Sequence, residues 1–303
     1  MLSFSTSWNS RRVKSGEKMV REILEMGFER IELGHGLKAP LVQEILEFKK
    51  KTPFQVSSLH NFCPLPPEVM VDQPDCYEFT SHRKSDRDRA LRLTLQTIDM
   101  AERFEAKRVV IHSGRIRSLD LTHKLRGLVT DGKYLSREFA EAKLNAVKKR
   151  EAVGEQYIQR ALECLTDAVD YASQRGITLG IENREYYEAT PSEREFENFL
   201  RRLDAANAGY WHDFGHAQIK HNLALFNHAQ WLDTMGRRAI GCHVHDVKWP
   251  FEDHNPPFTG EINFSELIPK LPKECLFVFE LHPRVPREAI VAAREQWIKF
   301  FGA

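Results

Sequence analysis

The feature that most constrains this chain is a repeated unit. A short run of β-branched and aromatic residues stops at a polar or ionisable side chain, and a segment with apolar positions at helical spacing follows. Such runs cover residues 2–4, 30–33, 54–60, 108–112, 178–182, 209–213, 240–245 and 277–280. Between them, Met19, Ile23, Leu24 and Met26, or Leu91, Leu95, Ile98, Met100 and Ala101, recur near the period of an amphipathic helix. Strands alternating with helices read as parallel β-α units. Eight units predict a closed (β/α)8 TIM barrel, an α/β fold, because an open sheet would leave two edges and no run looks built for one. The open, doubly wound sheet is the alternative.

A barrel of this kind fills 303 residues as one unit, so the expected organisation is a single domain over residues 1–303. Gly27 and Gly176 stand where helices would end before a strand. Pro191-Ser192-Glu193 and Ser265-Glu266 read as helix starts. One connection is out of proportion, the long insertion at 113–175 between the fourth and fifth strands. It reads as a lid, a contact in a homo-oligomer, or a solvated helical hairpin. Within it, Arg115, Arg117, Lys124 and Arg126 form a basic cluster suited to an anionic substrate, and residues 115–133 are expected to be mobile.

Composition narrows the class. With 42% hydrophobic and 29% charged residues the chain can bury a large core, which excludes a disordered protein. A net charge of +1, from 44 basic and 43 acidic residues, gives no overall pull toward nucleic acid or an anionic membrane. Five scattered cysteines without a C-x-x-C pair argue against a disulfide framework or a thiolate zinc knuckle and suit a reducing cytoplasm. Neither a signal peptide nor a stretch of eighteen apolar residues is evident, so no membrane span is expected.

In a parallel barrel all strand C-termini open on one face, where active sites of this fold lie. The last inward-capable residues are His60, His112, Glu182, Asp213, His243 and Glu280, with His216 in the turn after the sixth strand. Positions two earlier, Ser58, Val110, Gly180, Trp211, Gly241 and Val278, would fill the lumen beneath them. A lone histidine at a strand end is more often a satisfied polar residue than a ligand. Carboxylates and imidazoles converging from several strands are different, since they repel or suffer desolvation unless a cation compensates them. Mixed imidazole and carboxylate donors suit Zn²⁺, Mn²⁺, Co²⁺ or Fe²⁺, and carboxylates also tolerate Mg²⁺. His245 shares the parity of His243, and Asp246 is placed to orient an imidazole from behind. Trp8, Asn61 and Phe62 are either a platform for a sugar face or packing at the mouth.

The segments Ile181-Glu182-Asn183-Arg184, Asp213-Phe214-Gly215-His216, His243-Val244-His245-Asp246 and Phe279-Glu280 resemble the fifth to eighth strand ends of the xylose isomerase-like superfamily. That superfamily unites sugar and sugar-phosphate isomerases and epimerases with barrel-type apurinic endonucleases. The resemblance extends to Ile31-Glu32-Leu33, His60, His112, and Asp253-His254 followed by Gly260-Glu261-Ile262-Asn263-Phe264. It implies that Glu182, Asp213, His243 and Glu280 ligate one divalent metal ion, with Glu182 and Glu280 also moving protons. His60, His112, His216, Asp253 and His254 would contact substrate or hold a second metal. Glu252 beside His254 is an alternative to Asp253.

The function this implies is a metal-dependent isomerase or epimerase of a small sugar, sugar phosphate or related polyhydroxy carbonyl compound, working through an enediolate. Two alternatives remain at this point. One is an apurinic endonuclease-like phosphodiesterase, which near-neutral charge disfavours as a nucleic-acid binder. The other is a barrel that binds metal or sugar without catalysis.

Overall fold

The structure, a computed structural model, describes residues 1–69, 74–203 and 207–302. The eight runs become eight parallel strands: β1 (Leu2–Ser5), β2 (Arg30–Leu33), β3 (Gln55–His60), β4 (Arg108–Ile111), β5 (Thr178–Glu182), β6 (Ala208–Asp213), β7 (Ala239–Val244) and, after two short strands, β10 (Leu276–Phe279). Their order is β1-β10-β7-β6-β5-β4-β3-β2, and β1 pairs with β10 through Leu2 and Phe277, which closes the barrel. The two short strands, β8 (Asp246–Lys248) and β9 (Glu252–Asn255), form an antiparallel hairpin after β7. The open-sheet alternative is thereby excluded.

Outside the strands lie α1 (Gly16–Glu25), α2 (Ala39–Lys49), α3 (Lys84–Arg103), α4 (Leu121–Thr130), α5 (Arg137–Ser173), α6 (Phe196–Arg202), α7 (Phe214–Asn222), α8 (His228–Met235), α9 (Phe264–Leu267) and α10 (Arg287–Phe301). Positive φ at Gly27 and Gly176, 87° and 62°, follows the ends of α1 and α5 as the sequence leads one to expect. Two starts move. The α6 helix begins only at Phe196, because Glu195 turns back to accept from the Ser192 amide at 2.8 Å and pairs with Arg150 at 2.6 Å. The α9 helix is capped by Asn263, whose side chain accepts from the Glu266 amide, so it begins before Ser265.

The long insertion resolves into α4 and the 37-residue α5. The later part of α5 is the crossover helix of the β4-β5 unit, burying Ile158, Ala161, Leu162, Leu165, Ala168 and Val169. Its earlier part carries the fully buried Arg150, whose guanidinium bonds Tyr187 O, Ala189 O and Glu195, tying this helix to the loop after β5.

The barrel interior beneath the mouth is closed by Val110, Trp211, Leu276 and Val278, with Ile240 packed against them. The indole needs neighbours without side chains. A β-carbon on Gly241 would lie 2.2 Å from Trp211 Cζ3, and one on Gly180 would lie 2.9 Å from Cε3. This apolar floor keeps water out from below and leaves the mouth as the route to the polar groups above it.

Candidate metal centre and active site

Strand parity delivers a ring of buried ionisable groups above that floor. Glu32, His60, Glu182, Asp213 and His243 come from β2, β3, β5, β6 and β7, while His112 and Glu280 stand one residue beyond β4 and β10. All are buried. Asp213 is fixed twice over, since Oδ1 caps α7 by accepting from the His216 amide at 2.7 Å and its carboxylate also accepts from His245 Nε2 at 3.1 Å. Capping by the residue that ends the strand leaves Asp213 one orientation.

The arrangement of the imidazoles decides what the ring can hold. His243 points Nε2 at Glu32 Oε1, 3.2 Å away. Its Nδ1 is buried without a hydrogen-bond partner and lies 3.4 Å from Glu280, 3.6 Å from Glu182 and 3.7 Å from Asp213. His60 has Nδ1 on the carbonyl of Asn61 at 3.0 Å and turns Nε2 to Glu182 at 3.3 Å. His112 has Nδ1 on Asp75 at 2.7 Å and Nε2 on Glu182 at 3.0 Å. His254 places Nδ1 on Glu280 O at 2.9 Å and Nε2 3.9 Å from Asp253. His216 sets Nδ1 against Asn183 O at 3.1 Å.

In each ring one nitrogen faces a protein acceptor; with the ring neutral and its hydrogen placed there, the other nitrogen offers a lone pair. For His243, His60 and His112 that lone pair faces carboxylate oxygens. Two acceptors at such range repel unless a cation lies between them, and rings oriented from behind in this way are the usual support of metal ligands. The residues therefore fit a divalent ion held by His243 Nδ1, Glu182, Asp213 and Glu280. Ligand-capable atoms lie within 4.8 Å of one another in four overlapping groups: Glu32, His243 and Glu280; His60, Glu182 and His243; Glu182, Asp213 and His216; and His216, Asp253 and His254.

Electrostatics agree. Burial pushes the Glu182 carboxyl up, yet His112 and His243 hold it well below its ordinary value. Burial opposed by His243 and His254 leaves Glu280 at about 2. Burial pulls His243 down, but Glu280, Glu32 and Glu182 hold it well above an ordinary imidazole, so a positive charge is drawn to the point where the carboxylates meet.

A family model described as a xylose isomerase-like TIM barrel matches residues 20–300. The chain belongs to this family. Among curated proteins, an uncharacterized protein of Methanocaldococcus jannaschii is 31% identical over 111 residues, covering 35% of this chain and 36% of that protein, so the match spans about a third of the relative's length. Solved structures with the same fold include a D-tagatose 3-epimerase-like protein, at 17% identity, TM-score 0.69, and coverage of 99% and 96% of the two chains. The IolI protein with a bound zinc atom matches at 14% identity and TM-score 0.69 over 99% and 97%. A D-psicose 3-epimerase of Clostridium cellulolyticum with D-tagatose matches at 12% and 0.69 over 100% and 99%.

Within this xylose isomerase-like barrel the structure brings together the ionisable candidate residues picked out in the sequence except Asp246. Asp246 does not touch an imidazole. Its carboxylate accepts from the amides of Val247, Gly260 and Ile262, because the chain turns into the hairpin there, and it shapes the loop instead. His245 has a supporting place: Nδ1 accepts from the His254 amide at 2.9 Å, its ring stacks on His254 at 4.0 Å, and Nε2 donates to Asp213. Trp8 and Phe62 are buried packing, and Trp8 Nε1 donates to Val285 O.

Three residues of the site escaped the sequence reading. Glu32 has the signal, an acidic side chain at the inward parity of the second strand, but was noted only within a motif. Arg184 likewise stands only within the motif that ends β5, and Asp75 leaves no such trace, because it reaches the site from the loop after β3. Three of the four basic residues of the insertion are ion-paired: Arg115 and Arg117 share the buried Glu78, and Arg126 pairs with Glu185. Beside this ring of ionisable groups a cavity of about 210 Å³ is lined by Ser7, Arg11, His35, His254, Glu280 and His282, among others.

Proposed function

We propose that this barrel is a divalent-metal-dependent isomerase or epimerase of a small sugar, sugar phosphate or related polyhydroxy carbonyl compound. The observation that carries the reading is His243 Nδ1, buried, unpartnered and surrounded by Glu182, Asp213 and Glu280. An ion held by these four supplies Lewis acidity that polarises a carbonyl and favours negative charge on the adjacent oxygens. Glu280 borders the cavity beside the ring and is the group best placed to take a proton from the carbon beside that carbonyl. Glu182 approaches from across the barrel and returns a proton to the other face. Its Oε2 is already engaged by His60 and His112, which favours Glu280 as the acceptor of the substrate proton. Solved neighbours named as sugar 3-epimerases support the substrate class.

The test is a panel of ketoses, aldoses and their phosphates incubated in deuterated water with Mn²⁺ or Co²⁺. Deuterium entering beside a carbonyl, suppressed more than binding by Glu280→Gln, is the expected result. Conversion without deuterium uptake would replace proton transfer by a hydride shift.

A second reading, metal-dependent phosphodiester hydrolysis, is favoured by the number of inward-facing imidazoles. His60 and His112 on one side of Glu182, and His216 with Asp253 and His254 on the other, offer room for more than one cation. The ion-paired state of Arg115, Arg117 and Arg126 weighs against a long polyanion lying across that rim. Metal-dependent nicking of abasic-site DNA, with no sugar converted, would establish this reading over the first. Sugar binding with neither turnover nor nicking would leave a binding protein.

A further inference from the structure

We infer that Asp75 is the positioning residue for His112: its carboxylate holds the ring in the Nδ1–H form and so keeps the Nε2 lone pair turned toward Glu182. The inference rests on the metal-dependent reading for its chemical purpose, but its geometry stands apart from it. Asp75 Oδ1 lies 2.7 Å from His112 Nδ1, where a carboxylate accepts only a hydrogen. On the far side of the same ring, Arg184 Nη1 lies 2.8 Å from Nε2, and a guanidinium only donates. Acceptor and donor thus select the same tautomer from opposite sides. Arg184 Nη2 also stands 3.5 Å from Asp75 Oδ2, so one guanidinium spans the carboxylate and the ring it orients. Glu182 Oε2 lies 3.0 Å from the same Nε2, and Arg184 Nη1, also 3.5 Å from Glu182 Oε1, is the positive charge beside these two acceptors, the place a bound ion would take.

Asp75 does not belong to the barrel. It is carried by the connection between β3 and α3, which is docked onto the connection after β4. Arg117 Nη2 donates to Asp75 O at 3.1 Å and Arg117 Nε to Glu78 at 2.8 Å. Thr80 Oγ1 donates to Arg115 O at 3.0 Å and accepts from the Arg115 amide at 3.1 Å. Docking of this segment, in which Glu78 and Thr80 are buried, therefore sets the ring orientation at the mouth. Two of the four basic residues that the sequence offers to an anionic substrate, Arg115 and Arg117, serve here to hold Asp75 in place.

The full-length protein labelled with ¹⁵N in its histidine rings tests this in the metal-free state, with His112 assigned from the signal lost in His112→Gln. Wild type is expected to show the Nδ1–H form. Asp75→Asn keeps it, because the amide oxygen accepts the same hydrogen. Asp75→Ala releases the ring toward the Nε2–H form, which can donate to Glu182, and Arg117→Ala, which leaves Asp75 itself intact, moves it part of the way. In calorimetric titration with Zn²⁺, Asp75→Ala should lose about tenfold or more in affinity for at least one ion, with Asp75→Asn close to wild type. An Nε2–H ring in wild type, or a ring form and Zn²⁺ affinity unchanged in Asp75→Ala, overturns the inference. A wild type that takes up no Zn²⁺ refutes the metal reading instead, while the ring form still decides the role of Asp75.

Discussion

The indole of Trp211 occupies the space that a side chain on Gly241 would need, with Cζ3 2.2 Å from the position of a β-carbon there. The two residues face each other across β6 and β7, and the Trp211 ring also lies 5.2 Å from that of His243. The floor of the barrel and the ligand ring are thus in contact. Gly241→Ala should lower stability by about 1–3 kcal/mol through overpacking. Urea unfolding with an unchanged slope is the measurement, and a midpoint equal to wild type would show that the indole has room to move.

Glu32 is the residue that stands behind His243. Glu32→Gln keeps an acceptor for Nε2–H but removes the charge that makes Nδ1 a stronger donor, so metal affinity should fall about tenfold, and by up to about a hundredfold in Glu32→Ala. Competition with a chelating dye reads the effect. Unchanged affinity in both variants would mean that Glu32 merely fills the lumen beside Ser58.

Metal removal should destabilise the protein as well as inactivate it. An ion present at a hundred times its dissociation constant stabilises the folded chain by about 2.7 kcal/mol, so chelation should lower the melting temperature and re-addition restore it. Glu182→Ala and Asp213→Ala should lose most bound metal by elemental analysis and respond little to chelator. Full occupancy in both variants would sink the ligand assignment.

His228 on α8 gives a pH prediction away from the ligand ring. It is buried, its Nε2 is 3.0 Å from that of His212, and burial followed by His212 and His221 holds its pKa well below the ordinary value. The unfolded chain protonates this imidazole below about pH 6.5 whereas the folded chain does not. Stability from this group is therefore complete above that pH and declines as the medium becomes more acid, by up to about 1.4 kcal/mol per pH unit. His228→Gln should flatten the acid limb of a plot of unfolding free energy against pH. An identical slope in the variant would show that other groups dominate.

Glu188, a buried carboxylate, accepts from the Leu121 amide, the Thr122 amide at 2.9 Å and the Thr122 hydroxyl, and so anchors the start of α4. Glu188→Ala should remove about 1–3 kcal/mol of local stability by leaving these donors unpaired. Hydrogen exchange should find residues 121–130 protected in wild type and faster in the variant. Rapid exchange in wild type would restore the picture of this segment as a mobile lid.

The strands, their parallel order and most of the candidate site could be read from the chain alone, and the physical reason is periodicity. A parallel barrel alternates side chains in and out and places all strand ends on one face, so a census of His60, His112, Glu182, Asp213, His243 and Glu280 needs no coordinates. Periodicity gives no help beyond the strands. Asp246 shares a motif with His243 but lies beyond the end of β7 and opens the β8-β9 hairpin, where the parity of β7 no longer sets its direction, and it binds the amides of Val247, Gly260 and Ile262 instead of an imidazole. Asp75 and Arg184 reach His112 only because two loops are docked beside each other. The basic residues of the insertion looked free because no sequence pattern connects Arg115 and Arg117 to Glu78, or Arg126 to Glu185. The sequence alone thus determined which donors meet at the mouth. Which ring nitrogen each histidine turns inward depends on partners such as Glu32, Asn61 and Asp75, distant in the chain or held by loops, and only the tertiary structure decided it.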